Sequence, residues 1–126
     1  MEEYVSFETA KLARENFFGE PCLTYYTQDD DAGYWMQNGM YYYSNGAKEG
    51  FVLRPTQAVL QKWLREEHGI FVEVQLDQTS NPKFAVEVFQ FKSIGDFAQL
   101  KQKKWSLYST YEDALEVGLL LALKAI

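Results

Sequence analysis

Hydrophobic positions along this chain follow two periods, and the switch between them locates its clearest elements. From Thr56 to His68 they recur at helical spacing. Val59, Leu60, Trp63 and Leu64 share one face, and Lys62, Arg65 and Glu66 share the other. The Thr56 hydroxyl can accept an early backbone N–H and so cap the start. Gly69 supplies the stop, because glycine takes the left-handed conformation without a steric cost. From Ile70 the period becomes two. Ile70, Val72, Val74 and Leu76 fall on one face of a strand, and Phe71, Glu73 and Gln75 on the other. A second strand from Phe84 to Phe91 repeats the pattern, with Phe84, Val86 and Val88 opposed to Ala85, Glu87, Phe89 and Phe91. The segment between Asp77 and Lys83 contains Asn81-Pro82 and reads as a turn. The two strands are therefore expected to pair antiparallel, Val72 with Val88 and Val74 with Val86.

The first part of the chain is less regular. Ser6 can cap a short helix with Phe7, Ala10, Leu12, Ala13 and Phe17 as its apolar positions, and Gly19 and Pro21 are expected to end it. Leu23–Thr27 is a short β-rich run. Tyr34–Gln37 and Met40–Ser44 flank Asn38-Gly39, which predicts a hairpin with a type I′ turn. Asn45-Gly46 reads as a further turn, and Gly50–Leu53 as a third strand. After Phe91, the stretch Ser93–Lys104 reads as irregular or a short helix, and Trp105–Tyr108 as an edge strand. Ser109-Thr110-Tyr111-Glu112 has the spacing of a capping box. The helix it opens, Tyr111–Ile126, is apolar on most sides after Leu115 and should be well buried. Hairpin-linked strands with interspersed helices give an α+β fold. The sheet is mainly antiparallel, with two or three helices, and the second and third pack on one face, where Trp63 and Leu115 meet the valines.

Bulk properties narrow the function more than they name it. At 126 residues, the chain is expected to form a single domain, 1–126, and its 47 % apolar content is ample for a core. The net charge of −6 argues against broad nucleic-acid binding, which rests on lysine and arginine neutralising phosphates. Cys22 is the only cysteine, so no internal disulfide forms and a reducing, cytoplasmic setting is expected. The start of the chain has no basic, apolar leader, and no apolar run is long enough for a membrane span.

Candidate chemistry is sparse. His68 is the only histidine, which strains any Ser/His/Asp triad or multi-histidine metal site, and its place in a last helical turn suits a dipole role. Asp29-Asp30-Asp31 hints at a calcium loop. A calcium loop of the EF-hand type needs a glutamate at its twelfth position, where this chain has Met40, so no metal or cofactor is expected. Glu73 and Glu87 lie opposite each other in the proposed register, an arrangement that repels unless it is used. A carboxylate-dependent hydrolase is the least favoured reading they support. Lys101, Lys103 and Lys104 before Trp105 could take a phosphate and stack a base, which makes a small-molecule or single-stranded nucleic-acid module the alternative. Tyr41, Tyr43, Phe71, Phe89 and Phe91 form the leading candidate surface. Tyrosine is frequent at binding surfaces, and an apolar sheet face is either covered or a contact site; coverage by the N-terminal hairpin is the favoured outcome.

Pro55-Thr-Gln-Ala58 with Gln61–Ile70, and the ending Tyr111–Leu123, resemble segments of small uncharacterised proteins from bacterial phages and prophages. The resemblance implies a bacterial cytoplasm and a mobile-element origin, and carries no activity or ligand. The resulting expectation is a non-enzymatic, phage-type protein that acts on a protein partner or on a second copy of itself.

Overall fold

The computed structural model describes residues 3–27, 34–41, 51–78, 83–102 and 107–126. The fold is α+β, with three helices and two three-stranded antiparallel sheets among the described residues. The chain divides into two compact units, Met1–Leu60 and Gln61–Ile126.

The first unit opens with α1, Phe7–Glu15. Ser6 caps it as the sequence predicts, its hydroxyl accepting from the Thr9 amide at 3.2 Å. The helix ends earlier than Gly19. Phe17 takes the left-handed conformation (φ 66°), its N–H donates to Arg14 and that of Phe18 donates to Ala13, both at 3.0 Å. These two bonds satisfy carbonyls the last turn leaves open, so Phe17 does the work glycine usually does. Its side chain is 68 % exposed rather than part of the apolar face.

Strand β1 (Cys22–Thr27) lies between β2 (Tyr34–Tyr41) and β3 (Phe51–Leu53), giving the order β2-β1-β3. The predicted hairpin at Asn38-Gly39 does not form. β2 runs through both residues, and the β1–β2 ladder shifts there: Cys22 pairs with Tyr41, but Thr24 pairs with Met36. Leu23 alone therefore opposes Gln37–Met40, and the glycine marks a bulge rather than a turn. Tyr26 donates its hydroxyl to the Val5 carbonyl at 2.8 Å, and Thr24 donates to Arg54 at 3.0 Å, so the buried polar atoms of β1 are bonded. The Arg54 guanidinium lies over the Tyr4 ring at 4.1 Å.

Helix α2, Gln57–His68, starts in the first unit. Thr56 caps it, its hydroxyl accepting from Val59 at 3.2 Å. Leu60, Trp63 and Leu64 are buried as the periodicity requires, but Val59 is exposed.

The second unit contains β4 (Ile70–Asp77), β5 (Lys83–Ser93) and β6 (Asp96–Gln102) in that order across the sheet. Gly69 has φ 63° and hands α2 directly to β4. The β4–β5 register is the expected one, Val72 with Val88 and Val74 with Val86. β6 replaces the irregular segment read between Ser93 and Lys104. Ile94-Gly95 forms the turn, with Gly95 at φ 80°, and Ser93 pairs with Asp96. Apolar Ile94 hid that turn in the sequence. Beyond β6, Tyr108 exchanges both backbone bonds with Phe84 at 2.8 Å, a bridge at the end of the expected Trp105–Tyr108 edge strand, whose Trp105 and Ser106 lie outside the described residues.

Helix α3, Tyr111–Lys124, packs on β4 and β5. Its cap is Thr110, one residue later than the capping-box reading from Ser109, with the Thr110 hydroxyl accepting from Asp113 at 3.1 Å. Ala114, Leu115, Gly118, Leu119, Ala122 and Leu123 are buried. They meet the face that carries Ile70, Val72, Val86 and Val88, all of them buried.

Candidate functional site

Strand alternation assigns every residue of β4 and β5 to one of two faces. The face turned from α3 carries Phe71, Glu73, Gln75 and Asp77 on β4, paired in turn with Phe89, Glu87, Ala85 and Lys83 on β5. Phe71 and Phe89 are half-buried, whereas Glu73 and Gln75 are exposed. Phe91 continues the row and is 43 % exposed. The row is therefore only partly shielded from solvent.

Glu73 and Glu87 are direct cross-strand partners. Such pairs hold their Cβ atoms roughly 5 Å apart, close enough for two carboxylates to repel. A depression of about 470 Å³ opens beside them, lined by Gln75, Leu76, Asp77, Gln78, Ala85, Glu87 and Leu107. Its origin is local. Ala85 is the one small side chain in the row from Lys83 to Phe91 on this face, and larger neighbours stand around it. The depression brings Glu87 together with Asp77 and two glutamines, and leaves Glu73 outside its lining. The two glutamates of the hydrolase reading thus share a face without sharing the depression.

The notch has no strong signature in the sequence. Asp77, Ala85 and Leu107 carry no motif, and only the register shows that they meet. A small residue inside an otherwise long-chained strand face was the available signal.

The other candidates are placed as follows. Tyr41 lies on β2 as the backbone partner of Cys22, while Tyr43 falls outside the described residues. Lys101 pairs with Val88 at the end of β6, and Lys103, Lys104 and Trp105 fall outside the described residues. The Asp29–Asp31 loop and the Asn45-Gly46 turn do so as well. His68 sits in the last turn of α2 with its ring edge-on to Trp63 at 4.7 Å. The Gln90 side chain donates to the His68 carbonyl at 2.9 Å, so a glutamine from β5 closes the helix end as well.

Cys22 is buried, and burial pushes its thiol up to about 12, with the Glu20 charge acting in the same direction. Its Sγ donates to the Glu20 carbonyl at 3.4 Å. A thiol held protonated in this way is a poor nucleophile, because the thiolate is the reactive form. Among the described residues, no group of three or more His, Cys, Asp or Glu side chains could hold a metal ion. No described helix is long and apolar enough to cross a membrane. No protein family, no curated protein and no solved structure matches the chain.

Proposed function

We propose that this chain acts without catalysis, as a protein-interaction module that uses the sheet face turned from α3. One observation carries the reading. Phe91 stays 43 % exposed and Ile94 98 % exposed at one end of the β5–β6 hairpin, continuous with the half-buried Phe71–Phe89 pair. Single exposed apolar residues are ordinary, but a row of aromatics leading to a bare hairpin tip favours burial against a partner. The origin in a phage or prophage belongs to the same proposal and rests on the two helical segments that resemble phage proteins.

Self-association is the version open to direct test. Solution mass, measured by light scattering over a range of concentrations, should rise towards a dimer and fall back to the monomer for Phe91→Asp. A wild-type protein that stays monomeric throughout, or a dimer indifferent to Phe91→Asp, would remove self-association through this face.

A further inference from the structure

We draw no further inference here: the strongest candidate, the apolar tip of the β5–β6 hairpin formed by Phe91 and Ile94, belongs to the contact face already proposed, and nothing in the structure shows what covers it.

Discussion

The two faces of β4–β5 are made by the same strands, and they obey opposite rules. Towards α3, Val72, Val86 and Val88 are buried, and Gly118 lets the helix approach until a Cβ at that position would lie 2.5 Å from a methyl of Val72 and one of Val86. Away from α3, two glutamates stand opposite each other, an alanine leaves a notch and a phenylalanine stays exposed. The closely packed face has no room for variation. The open face carries two carboxylates side by side, a notch and an exposed ring. Alternate residues of one hairpin thus meet different surroundings, and substitutions on the two faces should behave differently.

The largest effect is expected at Gly118. Valine there drives a branched side chain into two stiff, fully packed valines, and overpacking of this kind costs about 3 kcal/mol. Alanine gains up to about 1 kcal/mol in helix propensity but still overlaps both methyls, so a net loss of about 1–2 kcal/mol is expected. Chemical denaturation measures both. In a Val86→Ala background the alanine penalty should shrink, since one of the two clashing methyls is gone, and a double-mutant cycle isolates that coupling. An unchanged penalty would mean that the close approach does not set the packing of this face.

Gly69 comes next. At φ 63° an alanine is strained by about 1–2 kcal/mol, and its Cβ would lie 3.3 Å from Gln90 Nε2, the group that bonds the His68 and Gly69 carbonyls. The complementary change is Phe17→Gly. It relieves the same backbone strain, loses little burial from a side chain already exposed, and should stabilise by about 1 kcal/mol in denaturant titration. If neither helix end responds, the left-handed positions are not where these helices are fixed.

These helix ends also show how far the sequence could be read. Gly69 was legible because the periodicity changes on either side of it. Gly19 misled, because capping at Phe17 is decided by backbone bonds to Ala13 and Arg14 that no side-chain pattern reports. The β4–β5 register was legible down to Glu73 opposite Glu87, since two alternating runs of matched length stand close together in the sequence; residues 79–82, where the turn is expected, lie outside the described residues. Asn38-Gly39 has the composition of a tight turn, yet the pairing of β1 with β2 absorbs it as a bulge. Ile94-Gly95 turns the chain without a polar residue at its tip, so β6 stayed hidden. Of the candidate site, the aromatic row and the carboxylate pair followed from alternation. The notch did not, because Leu107 reaches it only through the bridge between Tyr108 and Phe84.

On the open face the effects on stability should be small and of opposite sign. Glu73→Lys replaces a like-charge pair by an opposite one, so the protein should gain about 0.5 kcal/mol, less at high salt. A gain that fades with salt would show that the like-charge pair costs the fold stability. A loss of stability would instead mean that Glu73 already serves the fold.

The smallest change in stability is expected for Phe91→Ser. The ring is 43 % exposed at the end of its row, so its removal forfeits only part of the burial of a core phenylalanine, about 1 kcal/mol or less. Its effect on association should be the reverse of its effect on folding: the proposed dimer should be absent from light scattering while the denaturation midpoint barely moves. Gly118→Ala supplies the contrast. It should lower the midpoint clearly and leave the dimerisation of the folded fraction intact, because α3 and Phe91 stand on opposite faces of the same sheet. If instead Phe91→Ser unfolds the chain as readily as Gly118→Ala, the second face is a core in its own right. The division of labour between the faces would then be wrong.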